Sequence, residues 1–182
     1  MVPVLLLLQG VAAKTFDPLP STANCSVHFF NQTIDHFNWA PPPNKPYNPP
    51  QYEFQQRYYV YDKWWKPEQN GPVFFYFGNE DNVGLYVNHT GLMWENAEDF
   101  GALLVFAEHR FYGASKPFVE GTAGCMGWLT SEQAMADFAV LIDKLREPVA
   151  DGGLGAAKSA IIGFGGAHTV LHSSINSCSR LY

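Results

Sequence analysis

Near the C-terminus, glycines spaced as in a nucleophile site follow an apolar segment. The chain reads Gly163-Phe164-Gly165-Gly166-Ala167-His168. In a nucleophile elbow, Gly-X-Ser-X-Gly, a sharp turn after a strand lifts a serine above the sheet, and small flanking residues let the backbone crowd together. The flank before the nucleophile is present, but Ala167 stands at the serine position and Thr169 at that of the last glycine. An alanine methyl cannot attack a carbonyl, so the pattern predicts an elbow without its nucleophile.

Two other interpretations of this region are weaker. A dinucleotide-binding turn needs a third glycine where His168 stands and an acidic residue about 20 positions later, past Tyr182. Three serines, Ser173, Ser174 and Ser177, follow the turn, but none has the flanking glycines of an elbow.

Two further groups of polar residues each follow an apolar run. Gly78-Asn79-Glu80 come after residues 73–77, and Glu108-His109-Arg110 come after residues 102–107. Ligand and catalytic groups of parallel sheets lie beyond the carboxyl ends of the strands, so both groups are candidate site residues. His109 is a catalytic candidate, but a histidine in such a strand-end cluster is more typical of a structural hydrogen-bond network, which we expect here. No spacing of His, Cys, Asp or Glu is typical of a zinc or calcium site, and we expect neither metal nor cofactor.

The elements that must position these residues are predicted from hydrophobic spacing. Fully apolar strands that alternate with helices are typical of parallel βαβ units covered on both faces, and therefore of the α/β class. A proline-rich loop separates two aromatic-rich N-terminal strands from this part. The predicted elements are strands 25–38, 52–62 and 73–77, a helix capped by Thr90 and ending at Gly101, strand 102–107, a helix opened by the capping-box pattern Thr130 to Gln133 and ending before Pro148, and strand 159–164.

The composition excludes several classes of protein. Apolar residues make up 47% of the 182 residues and charged residues only 15%, so intrinsic disorder is excluded. There are 17 acidic against 11 basic residues, which gives a net charge of −6, and no run of Lys or Arg occurs. We therefore expect no nucleic-acid partner and no membrane partner.

The N-terminal residues 1–13 are typical of a secretory signal peptide, with an apolar run followed by small residues. The run is too short to span a bilayer, which needs about 20 residues. A buried N-terminal strand is the alternative. Three N-glycosylation sequons, at Asn24, Asn31 and Asn88, support the secretory route.

The cysteines are odd in number, at positions 25, 125 and 178. In an oxidising compartment one of them must stay free or pair with another chain.

Several stretches together resemble a known family of serine peptidases that act beside proline, the family of lysosomal Pro-X carboxypeptidase and dipeptidyl peptidase II. They run in family order from about residue 26 to Gly166. The matching stretches are Gln32–Phe37, Phe54–Tyr58, Gly71–Tyr76 running on to Glu80, Phe106–Gly113 and Leu129–Phe138.

The resemblance implies an α/β-hydrolase fold of which residues 25–166 form the N-terminal part, with the cap domain and later strands missing. It implies residues 14–24 as an N-terminal segment and 167–182 as a divergent tail. The family's serine falls on Ala167, and its aspartate and histidine have no counterpart here. Oxyanion donors would come from Gly78-Asn79-Glu80 and from the backbone N–H of His168.

We therefore expect the N-terminal portion of a secreted or lysosomal serine exopeptidase, of carboxypeptidase or dipeptidyl-peptidase type and inactive as written. In intact relatives the partners are peptides with proline near a terminus, and the resemblance allows for a homodimer. The alternative is a non-catalytic secreted glycoprotein with a peptide-binding role. Such a protein must fold stably although the edge of its last strand is bare.

Overall fold

The computed structural model describes residues 18–37, 53–117 and 125–166. The strands of these ranges form one mixed sheet in the order β1-β2-β4-β3-β5, with helices on both faces. The α/β class predicted from the sequence is confirmed. The elements are β1 (Ser26–Thr33), β2 (Glu53–Tyr61), β3 (Val73–Phe77), α1 (Val83–His89), α2 (Gly91–Phe100), β4 (Leu103–Ala107), α3 (Ser131–Arg146) and β5 (Ile161–Gly165).

The N-terminal strands form an antiparallel ladder. It runs from the pair Ser26 and Val60 to the pair Thr33 and Glu53, and β2 continues antiparallel onto β4. Strand β1 was expected to reach residue 38 but ends at Thr33. The physical reason is that Arg110 donates hydrogen bonds to the carbonyls of Thr33 and Ile34, at 3.2 and 2.8 Å, so the chain turns into the core there.

Strand β3 lies between β4 and β5 and is parallel to both. Phe75 is the register partner of Val105 on one side and of Gly163 on the other. All five residues of β3 and of β4 are buried. This explains why both strands are continuous apolar runs in the sequence.

Helix α1 was missed by the sequence reasoning. Thr90 stands at the N-cap position of α2, as predicted, but its side chain does not cap the helix. The Thr90 hydroxyl donates to the carbonyl of Tyr86 at 2.7 Å and makes no side-chain cap bond to α2. Helix α1 ends at His89, directly before Thr90, so the Thr90 hydroxyl bonds to a carbonyl of the last turn of α1. The predicted end of α2 is correct, since Gly101 adopts the left-handed conformation (φ 58°) that glycine tolerates best.

The predicted capping box of α3 is half formed. Thr130 Oγ1 accepts from the backbone N–H of Gln133 at 3.3 Å, as expected. The side chain of Gln133 does not return to Thr130, because it bonds to Asp35 and His36 instead. The helix ends at Arg146, before Pro148, as predicted.

Each face of the sheet carries its own apolar core. Side chains of α3, including Phe138 and Leu141, pack on the face that carries Phe75. Side chains of α1 and α2, including Trp94, pack on the face that carries Leu104. Coverage of both faces, expected from the sequence, holds for the central strands.

Strand β5 was predicted to be buried, and this prediction was wrong. Ile162 is 40% exposed, and within the described ranges no strand lies beyond β5. An edge strand has a neighbour on one side only, so an apolar sequence does not by itself bury it.

Several predictions lie outside the described residues. They concern the signal peptide at 1–13 and the tail at 167–182, with Ala167, His168 and Cys178. In the described ranges, no helix is both long and apolar enough to cross a bilayer.

Candidate active site

The loop after β3 begins with a glycine that packs directly on the end of β4. A Cβ at Gly78 would lie 2.3 Å from the carbonyl oxygen of Ala107 and 2.9 Å from the backbone nitrogen of His109. Only a residue without a side chain permits this close approach of two backbones. The two polar groups predicted from the sequence therefore start side by side at the carboxyl ends of β3 and β4.

Asn79 connects this loop to the end of β5. Its Oδ1 accepts a hydrogen bond from the backbone N–H of Gly166 at 3.1 Å. Its Nδ2 donates to the Tyr76 hydroxyl at 3.2 Å. The residue that precedes position 167 is thus held by a side chain from the predicted oxyanion loop.

The pKa of Tyr76 is raised to about 12, chiefly by burial. The nearby Tyr86 contributes to the rise, and the hydrogen bond from Asn79 opposes it. Tyr76 therefore stays a neutral phenol near neutral pH, and its oxygen accepts from Asn79. The third residue of the predicted loop, Glu80, is exposed.

The Glu108 carboxylate is fully buried and accepts hydrogen bonds at both oxygens. One oxygen accepts from the Arg57 guanidinium and from the backbone N–H of Val83, the first residue of α1. The other accepts from the backbone and hydroxyl of Ser115, at 3.1 and 2.8 Å, and from the Ala114 N–H. Glu108 thereby fixes the start of α1 and the turn at 111–115.

Arg110 is also fully buried, and each of its N–H groups has an acceptor. It forms a bidentate pair with Asp137, with N–O distances of 2.7 and 2.8 Å. Its remaining donors reach the carbonyls of Thr33, Ile34 and Trp128. A guanidinium with five satisfied donors is a structural centre that joins β1, α3 and the segment before α3.

His109 is 3% exposed, and its ring packs edge-on against Tyr112 and Phe138. Its Nδ1 lies 2.7 Å from the carbonyl oxygen of Arg110. A general base must reach a proton on the substrate. The buried position favours the structural role expected from the sequence over the catalytic one.

Four side chains of this network were not singled out in the sequence, Gln32, Gln56, His36 and Asp137. Gln32 Nε2 donates to Gln56 Oε1 and to the carbonyl of Asp137, and Gln56 donates to the carbonyl of Glu108. His36 Nε2 lies 2.7 Å from the Asp137 carboxylate. A signal was present, because Asp137 lies in the apolar stripe of α3, one turn before Leu141.

The three sequon asparagines are all exposed. Asn24 donates to the carbonyl of Leu19, Asn31 accepts from Gln55, and Asn88 accepts from the backbone N–H of Thr22. Asn88 also borders an open cleft of about 460 Å³ beside α1. The lining of that cleft includes none of Gly78, Asn79 and Gly166, so the cleft and the strand-end site are separate.

Within the described ranges, no group of three or more His, Cys, Asp or Glu side chains is placed to hold a metal ion. Cys25 is free. Ala167 and His168, the predicted nucleophile position and second oxyanion donor, follow directly after the described residues.

Comparison with known proteins places the chain in a family. The family model of serine carboxypeptidase S28 matches residues 32–174. The motif resemblance stops at Gly166. The family model extends eight residues further and therefore includes Ala167.

Among curated proteins, the human lysosomal Pro-X carboxypeptidase is 42% identical over 154 residues, which cover 82% of this chain and 28% of that protein. The Mus musculus lysosomal Pro-X carboxypeptidase is 38% identical over 173 residues, which cover 92% of this chain and 32% of that protein. A Caenorhabditis elegans prolyl carboxy peptidase like protein is 40% identical over 119 residues, which cover 64% of this chain and 22% of that protein.

The chain spans less than a third of the length of these relatives. The family model nevertheless matches most of the chain, and its motifs form the strand-end network described above. The chain belongs to the serine carboxypeptidase S28 family.

Proposed function

We propose that this chain carries the N-terminal part of the catalytic domain of a serine exopeptidase whose complete form cleaves peptides beside proline. The support comes from the family membership and from relatives named Pro-X carboxypeptidases. Both carboxypeptidase and dipeptidyl-peptidase activities agree with the motifs. The proposal concerns the complete protein, because the chain spans less than a third of its relatives.

The observation that carries the proposal is the hydrogen bond from Gly166 to Asn79. It holds the end of β5 against the loop after β3, which is the arrangement an α/β-hydrolase site needs between its nucleophile turn and its oxyanion loop. In a complete relative, a serine at position 167 would attack the carbonyl that follows proline. A histidine would take the serine proton, and an aspartate would orient that histidine.

The oxyanion would form next to the Gly78-Asn79-Glu80 loop. The backbone N–H of residue 168 would donate one hydrogen bond and the loop another. One such donor is worth about 3–4 kcal/mol of transition-state stabilisation. Asn79 would contribute by fixing the backbone that leads into position 167.

With Ala167 at the nucleophile position, we infer that this chain is inactive as a hydrolase. An oxyanion hole polarises a carbonyl, but without an attacking group no acyl-enzyme forms. Ala167 is also the observation that favours the second candidate function, a non-catalytic glycoprotein that binds peptides.

The proposed location is the secretory route, ending in the lysosome or outside the cell. The signal-like residues 1–13, the three exposed sequons and the lysosomal relatives support it. The proposal of a homodimer rests on the family resemblance alone, and sedimentation of the purified chain tests it.

The first experiment exposes the purified chain to a fluorophosphonate probe and to two peptides, one with proline as the penultimate residue and one with alanine in its place. We expect no labelled serine and no hydrolysis. Labelling of any serine together with hydrolysis overturns the inactivity. Tighter binding of the proline peptide supports the binding role, and equal binding of both peptides contradicts it.

The second experiment sequences transcripts across the Gly166 codon. Transcripts that continue into a serine codon and further peptidase sequence support the proposal of a peptidase. If every transcript encodes Ala167, the peptidase activity is contradicted for this gene and the binding role becomes the function to test.

A further inference from the structure

The outer edge of β1 is long and carries no formal charge. Its eight residues include no Lys, Arg, Asp, Glu or Pro. In the part of the chain that the structure describes, no strand pairs with this edge. Such an edge is a template for pairing with another chain, and proteins usually blunt it with charges, proline or a covering element.

Two apolar side chains and one sequon asparagine share the uncovered face of this strand. Val27, Phe29 and Asn31 are two residues apart, so their side chains point to the same side of the sheet. Val27 is 49% exposed, Phe29 is 53% exposed, and Asn31 is exposed. The strand is paired to β2 without a bulge, so the alternation is regular over its whole length.

The amide of Asn31 uses its oxygen within the sheet. Its Oδ1 accepts a hydrogen bond from Gln55 on the neighbouring strand. The Nδ2 atom, to which an N-linked sugar is joined, takes no part in that hydrogen bond. The Cα atoms of Phe29 and Asn31 are separated by about 7 Å, two steps along a strand, which is within reach of one sugar ring.

We propose that Asn31 carries an N-linked glycan whose first N-acetylglucosamine packs on the exposed ring of Phe29 and blocks the edge of β1. The apolar C–H face of a pyranose complements the negative face of an aromatic ring. The covered ring loses contact with water. The bulk of the sugar keeps a second strand from approaching to the roughly 4.8 Å that pairing requires. The proposal rests on the secretory route of the proposed function.

The other two sequons differ in this respect. The residue two positions before Asn24 is Thr22, in a short 3-10 helix, so the position that corresponds to Phe29 holds no aromatic ring there. Asn88 belongs to α1, where residues two apart do not share a face. Asn24 therefore provides the matched control.

The test begins with glycopeptide mass spectrometry of the full chain secreted from eukaryotic cells. We expect a glycan on Asn31. A glycan on Asn24 or Asn88 with an unmodified Asn31 overturns this inference and leaves the proposed function intact. If the chain is not secreted and all three asparagines are unmodified, the secretory route fails, and this inference fails with it.

The second step measures thermal unfolding of four proteins: the glycosylated chain and its Phe29→Ala variant, each with and without Asn31→Gln. Loss of the glycan is expected to lower Tm by roughly 2–4 °C when Phe29 is present, and by less than about 1 °C in Phe29→Ala. Asn24→Gln should change Tm equally in both backgrounds. An equal effect of Asn31→Gln in both backgrounds overturns the packing on Phe29.

A third measurement avoids variants that fail to fold. Endoglycosidase trims the folded protein to one N-acetylglucosamine per site. Complete removal is achieved by producing the same chain in bacteria, which leaves Asn31 as asparagine and not as the charged aspartate that enzymatic release creates. Trimming should leave Tm unchanged, and complete removal should lower it and increase self-association at least about tenfold in sedimentation experiments. Self-association that is unchanged by complete removal overturns the protection of the edge.

Discussion

At the scale of single residues, the buried charges are held by groups that are distant in the sequence. Arg110 and Asp137 are 27 residues apart, and both are buried almost completely. Removing one partner of such a pair leaves an uncompensated charge, which is far more costly than losing a surface ion pair.

Arg110→Lys should lower the free energy of unfolding by about 3–5 kcal/mol, because one ammonium cannot serve Asp137 and three carbonyls together. Urea denaturation measures the change. The control is Arg146→Lys, at a partly exposed arginine 3.5 Å from Asp143, which should change stability by less than about 0.5 kcal/mol. Equal effects of the two substitutions would refute the structural role of Arg110.

Cys25 is predicted to be a slow nucleophile. Burial raises the pKa of its thiol to about 12, from an ordinary value of 9.0. A raised pKa leaves less thiolate at any given pH, and the higher nucleophilicity of a more basic thiolate offsets only part of this loss, so alkylation at pH 8 should be at least about tenfold slower than for an unshifted thiol. Mass spectrometry of the Cys25 peptide after timed iodoacetamide treatment measures the rate. The same cysteine in denaturant is the control, and equal rates in both states would contradict the prediction.

At the scale of elements, the strand ends are positioned by backbone contacts. Gly78 rests on the end of β4, Asn79 holds the end of β5, and Glu108 holds the start of α1. The geometry of these loops therefore depends on the absence of a side chain at Gly78 and on the polar side chains of Asn79 and Glu108.

Gly78→Ala should destabilise the protein by about 1–3 kcal/mol, since the added Cβ would lie 2.3 Å from the Ala107 carbonyl oxygen and a backbone must move. Chemical denaturation measures the loss. Gly127→Ala is the matched control, because no heavy atom lies within 4 Å of a Cβ built there. If both variants keep wild-type stability, the close approach of the two backbones is not present in solution.

At the scale of the whole molecule, packing is uneven across the sheet. Leu104, Phe74 and Ile162 form one row across β4, β3 and β5 and point to the same face. Leu104 is fully buried and Phe74 is 3% exposed, whereas Ile162 is 40% exposed. Burial thus decreases from the centre of the sheet to the edge at β5.

Leu104→Ala is expected to cost about 2–5 kcal/mol, the range for a fully buried leucine. Ile162→Ala, in the same row, should cost about 1 kcal/mol or less, because its side chain is already partly in water. Urea denaturation of both variants gives the ratio. Equal losses would mean that another segment or a partner covers β5 in solution.

Much of the fold could be predicted from the sequence because short-range patterns specify it. The apolar runs of β3 and β4, the helical spacing of Phe138 and Leu141, and the end of α2 at Gly101 are all local signals. The family could be predicted too, because its motifs lie in continuous stretches. Helix α1 could not, since seven residues give too short a pattern, and Thr90 has the same sequence signature whether it begins or ends a helix.

What the sequence alone determined is the α/β class, the order of its elements other than α1, the family and the alanine at position 167. Only the tertiary structure decided that Arg110 pairs with Asp137, that Asn79 reaches Gly166 and that Ile162 of β5 is exposed. The physical reason is the distance along the chain over which each kind of signal acts. Hydrophobic periodicity and turn residues act over a few positions, whereas Asn79 and Gly166 are 87 residues apart and meet only once the parallel strands are aligned.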